Sequence, residues 1–348
     1  MDILKIVIPT TLTFIIGILI TPLVSNYLYK NKLWKKKSVT VATDGGATTL
    51  TQKLHNDEER KTPRMGGIII WASVLITTFL FWLGAMIDGP VLNKLSFLSR
   101  NQTWLPIFTL ILGALVGLVD DYMSVTERYD QKAGGLSSKK RLLAVFLIAL
   151  VGAWWFYFKL EATDIIIPFF GVWNAGRLFI LFFVVVMLGT YSGGVIDGLD
   201  GLSGGVFGII FGAYGLIALL QNQIDLATLC FVLVGGLLAF LWFNIPPARF
   251  YMSETGTMAL TITLVVVAFL TKQVLILPII AFPLVISSGS SIIQLLSKKF
   301  RHGKKVFLVA PLHHHFQALG WPATKVVMRY WVAGLICASI GIIITLIG

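Results

Sequence analysis

The sequence predicts an all-α integral membrane protein with about ten transmembrane helices. Of its 348 residues, 56% are hydrophobic and only 13% are charged, and the mean hydropathy is +0.85. A soluble domain has roughly 25% charged residues. The apolar runs are continuous and do not alternate, which is typical of helices that satisfy their own backbone hydrogen bonds in lipid. No polar stretch is long enough to bury a separate core, so residues 1–348 are expected to form a single polytopic domain.

Ten apolar runs provide the candidate spans. The first has Lys5 as its only basic residue and no small-residue cleavage site, so we expect a retained span and not a removed signal peptide. The short apolar piece 165–171 is expected to form an interfacial strand or hairpin. Pro278 and Pro283 should kink the ninth span, which opens a lipid-facing groove. The predicted spans are 3–24, 66–87, 104–119, 141–158, 174–190, 202–220, 226–243, 257–271, 274–296 and 327–347.

Basic residues are distributed unequally between the loops. With the N terminus placed outside, the inside loops hold 22 of the 28 lysines and arginines. Because Lys and Arg accumulate in cytoplasmic loops, both termini are predicted to lie outside. The run 35–37 and the net charge of +12 are then explained by topology and by contact with anionic membrane lipids. No folded basic module is evident, so we expect no nucleic-acid partner.

Acidic residues stand beside span ends on the predicted inner side. Asp120 and Asp121 close the third span, Asp197 and Asp200 follow the fifth, and Glu254 precedes the eighth. Each group alone could cap a helix or face solvent. Together they favour a magnesium or phosphate site, because hard cations bind clustered carboxylate oxygens. The spacing of Asp197 and Asp200 predicts that both lie on one face of a helical turn.

Three consecutive histidines, His313, His314 and His315, follow Pro311 in a loop rich in Lys and Arg. A short His tract can bind a transition metal, but no Cys or spaced His accompanies this one. Imidazole that hydrogen-bonds a phosphate or a ribose fits better, because its two ring nitrogens can donate and accept. A structural role for one or more of the three stays open.

These motifs carry a resemblance that extends from about residue 61 to the end of the chain. The matching runs are 62–67, 120–122, 135–140, 197–202, 243–248 with 254–256, 291–294, 303–307, 310–316 and 320–322. They are similar to the polyprenyl-phosphate N-acetylhexosamine-1-phosphate transferases. The triple-His run 310–316 is the most specific of them, and it resembles the branch of that superfamily with a muramoyl-pentapeptide donor.

The resemblance implies a magnesium-dependent enzyme of peptidoglycan synthesis with its active-site loops on the cytoplasmic face of the bacterial inner membrane. It would transfer phospho-N-acetylmuramoyl-pentapeptide from UDP-N-acetylmuramoyl-pentapeptide to undecaprenyl phosphate, releasing UMP and giving lipid I. A homodimer is also implied. Phosphoryl transfer depends mostly on positioning and charge neutralisation, which agrees with the acids and the basic loops.

Roles for single residues follow from chemistry and motif matching together. The predicted magnesium ligands are Glu254 first, then Asp121 and Asp197. Asp120 is expected to orient or deprotonate the lipid phosphate, by direct attack or through a covalent route. Asp200, Lys132, Gly194 and the three histidines are expected to contact the donor, with His313 also in the catalytic set.

The chain departs from the family motifs at several positions. Gly194 and Tyr191 stand where asparagines are usual, and Ser124 stands where the family has Lys. Arg64 stands where the family has Thr, and Glu254 where it has Asp. All of these positions are expected to touch nucleotide, phosphate or metal.

The sequence leaves three other functions open. A sister transferase would take UDP-N-acetylglucosamine. A transporter or lipid-binding protein would be expected to carry acids near the membrane midplane, and here they lie at span ends. A diverged relative could act as a scaffold with altered donor or low activity.

Overall fold

The structure, a computed structural model, describes residues 2–34, 61–87, 90–126 and 135–348. Its helices are α1 (Asp2–Lys30), α2 (Gly67–Met86), α3 (Pro90–Leu95), α4 (Trp104–Val125), α5 (Ser138–Trp154), α6 (Leu178–Ser192), α7 (Leu202–Leu220), α8 (Ile224–Asn244), α9 (Ser253–Leu270), α10 (Leu277–Ile280), α11 (Phe282–Phe300), α12 (Leu312–Ala318) and α13 (Ala323–Ile347). A π-helical turn, Trp155–Lys159, extends α5, and 3-10 turns Gly193–Ile196 and Val274–Ile276 follow α6 and precede α10.

The number of long apolar helices agrees with the sequence prediction. Within the described ranges, nine helices are long and apolar enough to cross a membrane, and there are ten if one bent helix pair counts as a single span. Large apolar side chains such as Leu335 and Ile343 of α13 face outward, as expected where the surrounding solvent is lipid. The all-α class and about ten spans are therefore confirmed.

A short antiparallel hairpin separates α5 from α6. Strands β1 (Asp164–Ile167) and β2 (Gly171–Asn174) pair in the register Ile166 opposite Val172. This confirms the predicted hairpin. It also corrects the fifth span, which was predicted from residue 174 and begins at Leu178, because the backbone up to Asn174 is taken by strand pairing.

The ninth span is broken at its prolines. Val274–Ile280 and Phe282–Phe300 meet at an angle of 81°. Pro278 and Pro283 each lie at the start of their own helix, where the missing N–H is tolerated, whereas a proline inside a helix interrupts its hydrogen bonds. The predicted kink is confirmed.

The helices α4 and α9 pack closely against each other. A Cβ atom on Gly113 of α4 would lie only 2.8 Å from the Cα of Ala259, and one on Gly117 would lie 2.6 Å from the carbonyl carbon of Glu254. Only glycine permits this approach. The helix α9 also begins at Ser253, earlier than the predicted 257, so Glu254 lies in its first turn and not before it.

The two ends of the helix bundle hold different parts of the chain. At one end Lys5 pairs with Asp225 at 2.5 Å, and the N–H of Phe169 in the hairpin donates to the carbonyl of Gly348 at 3.3 Å. Both chain termini therefore lie at this end. At the other end, the segments after α4, α6 and α8 meet the segment before α9, together with the acids predicted to form the site.

Candidate active site

The first turn of α9 is where acidic residues from different elements meet. Helical N–H groups in a first turn have no partner inside the helix. Thr255 donates its N–H and its hydroxyl to Oδ2 of Asp121, at 2.9 and 2.7 Å. The N–H of Ser253 donates to Oδ2 of Asp197 at 2.7 Å. A helix N-terminus stabilises negative charge, so α9 holds the acids of α4 and of the 197–201 turn together.

Asp197 has a partner on each carboxylate oxygen. Its Oδ1 accepts the hydroxyl of Ser203 in the first turn of α7, at 2.7 Å. Burial raises the pKa of the Asp197 carboxyl above its ordinary value, while its two hydrogen bonds act in the opposite direction. The helical turn predicted for Asp197 and Asp200 is wrong. Residues 197–201 form a tight turn, in which Gly201 has a φ of 78° that favours glycine.

Asp200 and Asn244 join this turn to the segment after α8. The N–H of Ala248 donates to Oδ2 of Asp200 at 3.0 Å. Asn244 is buried, accepts the N–H of Gly201 at 2.9 Å, and donates to the carbonyl of Phe250 at 2.9 Å. The turn and the 245–252 segment are therefore fixed to each other by side chains that satisfy buried backbone groups.

Arg141 links two further acids. From the start of α5 it donates to Oε1 of Glu254 at 2.6 Å, and the same nitrogen lies 3.8 Å from Oδ2 of Asp120. The N–H of Leu136 donates to Oδ1 of Asp120 at 2.6 Å. The side chains of Arg141 and Glu254 are 26% and 25% exposed, so this pair is accessible from outside the protein.

A cavity of about 210 Å³ opens beside that pair. Tyr191 and Gly194, the two positions where asparagine was expected, line it together with Arg141 and Glu254. Gly194 thus faces the same space as the pair, as a substrate-contacting position would. Its role in binding stays a prediction.

The first histidine of the tract packs against the acidic turn. His313 lies on α12 and is fully buried, and a Cβ atom on Gly198 would collide with its Nε2. Within the described chain, neither ring nitrogen of His313 has a hydrogen-bond partner. Burial lowers the pKa of His313 well below its ordinary value, and His314 lowers it further. A neutral imidazole with unused nitrogens therefore lies next to residues 197–201.

The other two histidines have partners on nearby segments. Nδ1 of His314 lies 2.8 Å from Oε1 of Gln317, and Nδ1 of His315 accepts the N–H of Leu308 at 3.2 Å. The tract is therefore part of a short helix and not of a loop. Lys132, predicted to contact phosphate, lies outside the described residues.

Residues 103–272 match the family described as Glycosyl transferase family 4. Proteins named phospho-N-acetylmuramoyl-pentapeptide-transferase are similar to nearly the whole chain. The one from Listeria innocua is 33% identical over 96% of both chains. The Bacillus subtilis one is 34% identical over 95% of both, and the Geobacillus one is 34% identical over 96% of this chain and 95% of its own. The chain belongs to the phospho-N-acetylmuramoyl-pentapeptide-transferase family.

The site of this phospho-N-acetylmuramoyl-pentapeptide-transferase family member includes residues that the sequence prediction did not select. They are Arg141, Ser203, Asn244 and Thr255. Arg64, which the sequence singled out as a departure from its motif, also reaches the site. Each adjoins or lies within a motif that carried the family resemblance. A polar residue beside an acidic motif at a span end was the available signal, but its hydrogen-bond partner lies on another segment of the chain.

The carboxylates can be tested for their fit to magnesium. Oδ1 of Asp121 is buried and, among the described residues, has no hydrogen-bond partner. Asp197 is less suited, because protein groups already bind both its oxygens. In the part of the chain that the structure describes, no group of three or more His, Cys, Asp or Glu residues is close enough together to hold a metal ion. Magnesium commonly takes one or two carboxylates with water and phosphate oxygens, which Asp121 and Glu254 could provide.

Proposed function

We propose that this protein transfers phospho-N-acetylmuramoyl-pentapeptide from its UDP carrier to undecaprenyl phosphate, releasing UMP and giving lipid I. One observation carries the proposal: acids from α4 and the 197–201 turn converge on the first turn of α9, with a buried imidazole against the same turn. This cluster lies at one end of a bundle of apolar helices. The name that the relatives share supports the choice of donor.

The reaction makes one P–O bond and breaks another. An oxygen of the lipid phosphate attacks the sugar-bearing phosphorus of the donor, and the bond to the bridging oxygen breaks, so UMP departs with the electron pair. Magnesium, held by Glu254 and Asp121, would neutralise the negative charge that develops on the donor phosphates. Asp197 then supports the site by fixing the start of α9 through Ser253.

The remaining side chains orient the two substrates. Asp120 is held by the N–H of Leu136 and lies 3.8 Å from Arg141, so its carboxylate can take up the proton of the lipid phosphate. Arg141 presents a cation beside the cavity that Gly194 lines. His313, His314 and His315 would contact the UDP-linked substrate, because a neutral imidazole donates a hydrogen bond from one ring nitrogen and accepts one at the other.

The proposal includes a membrane orientation. The acidic end would face the cytoplasm of a bacterial inner membrane, with both termini outside, because the basic residues are concentrated in the loops of that end. We further propose a homodimer, for which the mass of the detergent-solubilised protein by light scattering is the test.

Transfer of labelled sugar nucleotide to polyprenyl phosphate tests the activity. The purified protein is assayed with UDP-N-acetylmuramoyl-pentapeptide and with UDP-N-acetylglucosamine, each with magnesium and with excess chelator. We expect the larger donor to be used faster and the chelator to abolish transfer. Faster use of the smaller donor would move the chain to the sister activity, and transfer with neither donor would leave it a scaffold.

A further inference from the structure

Arg64 is a cation that lies beside Asp121 of α4. Its Nη1 donates to the hydroxyl of Ser124 at 3.3 Å and lies 3.8 Å from Oδ1 of Asp121. The second distance is too long for a hydrogen bond. The Arg64 side chain is 28% exposed, whereas the Asp121 side chain is fully buried. The guanidinium thus lies between a buried carboxylate and accessible space, with more N–H donors than the Ser124 contact uses.

The backbone around Arg64 is held by several hydrogen bonds. The N–H of Arg64 donates to the carbonyl of Leu33, and the N–H of Tyr251 donates to the carbonyl of Pro63, both at 2.9 Å. Two residues further on, the N–H of Gly66 donates to Tyr251 at 2.8 Å. The segment is therefore fixed against the start of α9. A guanidinium on a fixed backbone loses less conformational freedom when it binds a ligand.

Two of the departures from the family motifs meet at this point. Arg64 stands where the motif has Thr, and Ser124 stands where it has Lys. The structure brings these two side chains into contact. The positive charge beside Asp121 is thus supplied from the segment before α2, and it contacts the side chain at position 124, where the motif has lysine.

Charge balance indicates what such a cation is for. Asp120, Asp121 and Glu254 lie close enough to influence one another electrostatically, and they would repel an approaching phosphate. Arg141 is committed to Glu254 through a 2.6 Å hydrogen bond. Arg64 has no hydrogen bond that short to these acids, and its planar fork of donors matches phosphate oxygens.

We propose that Arg64 binds a phosphate oxygen of a substrate beside Asp121, in place of the lysine that stands at position 124 in the family motif. This inference rests on the proposed function and adds a substrate-binding residue to it. The phosphate comes either from the lipid acceptor or from the nucleotide donor, and the experiment separates these sources.

The test uses Arg64→Thr, the double variant Arg64→Thr/Ser124→Lys, and Arg64→Lys. The matched control is Arg177→Gln, which removes an exposed arginine just before α6, at the opposite end of that helix from Gly194. KM is measured separately for polyprenyl phosphate and for the UDP donor. Binding isotherms for polyprenyl phosphate and for UDP are recorded in parallel, so that a readout independent of turnover exists. Thermal unfolding midpoints verify that each variant is folded.

We expect Arg64→Thr to raise KM and Kd for one of the two phosphate ligands about tenfold to a hundredfold, as for a lost charged hydrogen bond. The double variant should recover most of this loss, and Arg64→Lys should show a smaller loss because an ammonium cannot form the fork. The control should stay within about twofold of wild type. If KM and Kd rise for polyprenyl phosphate, the bound phosphate belongs to the lipid acceptor. If they rise for the UDP ligands, it belongs to the nucleotide donor.

Unchanged KM and Kd for both ligands in Arg64→Thr and Arg64→Lys would overturn the proposal. A double variant no better than Arg64→Thr would overturn the exchange of positions 64 and 124. If wild type transfers no sugar phosphate but Arg64→Thr still weakens phosphate binding, the proposed function fails and this inference stands. If every variant transfers sugar phosphate with the rate and KM of wild type, the proposed function stands and this inference fails.

Discussion

Glu254→Gln separates the chemical role of this carboxylate from its structural one. The substitution removes one negative charge with almost no change in size. The amide oxygen that replaces Oε1 can still accept the hydrogen bond from Arg141, now 2.6 Å long. Arg141 also keeps Asp120 Oδ2 3.8 Å from the same nitrogen, so its charge is not left without an acidic partner. We therefore expect the unfolding midpoint to change little.

Activity should fall much further than stability. If Glu254 supplies charge to a bound magnesium ion, its loss leaves the developing negative charge of the phosphates less well neutralised. A loss of at least about tenfold in kcat/KM is expected, which corresponds to about 1.4 kcal/mol in the activation barrier. The magnesium concentration that gives half-maximal activity should rise as well.

The assay is sugar-phosphate transfer at several magnesium concentrations, with thermal unfolding measured on the same preparations. Glu161→Gln is the matched control, because Glu161 is an exposed carboxylate that adjoins the hairpin at the opposite end of the bundle. Wild-type turnover by Glu254→Gln, with an unaltered magnesium requirement, would refute the reasoning. A large drop in the unfolding midpoint would instead mean that Glu254 acts mainly through the fold.

Three further outcomes follow from the same geometry. The contribution of His313 to stability should fall as the pH drops below 6.5, because its lowered pKa means that the unfolded chain takes up a proton there first; the unfolding midpoint of wild type should therefore fall relative to that of His313→Leu, and a constant difference would contradict this. Gly198→Ala should cut transfer at least about tenfold, because its Cβ would collide with His313, whereas Gly212→Ala, which meets open space, should leave the rate unchanged; equal rates would be the contrary result. In intact cells an impermeant thiol reagent should label Phe170→Cys and spare Lys304→Cys, both exposed positions; labelling of the second would reverse the proposed orientation.

The sequence was most informative about where charge occurs along the chain. Acids next to apolar runs are costly unless they have partners or a function, so Asp121 and Glu254 stood out without any structural knowledge. The prolines of the ninth span indicated its break for an equally local reason. Such features depend on a few neighbouring residues, and the structure agrees with both.

The partners of those acids could not be predicted in the same way. The N–H groups that hold Asp121 and Asp197 belong to residues 134 and 56 positions later in the chain. Their availability depends on where α9 begins, and sequence periodicity placed that start four residues too late. The helical turn expected for Asp197 and Asp200 failed for a related reason: residues 197–201 form a turn that is fixed by Asn244 from another segment.

The dependence of the acids on α9 has a consequence for how the protein is made. Asp121 leaves the ribosome 134 residues before Thr255, which at 5–20 residues per second is a delay of about 7 to 27 s. During that interval the carboxylate has no α9 to hold it, although Arg64 has already been synthesised. A nascent chain that stops before residue 253 therefore carries acids without their amide partners near the membrane. Premature termination or failed insertion of α9 leaves this end of the bundle unassembled and exposed to proteases.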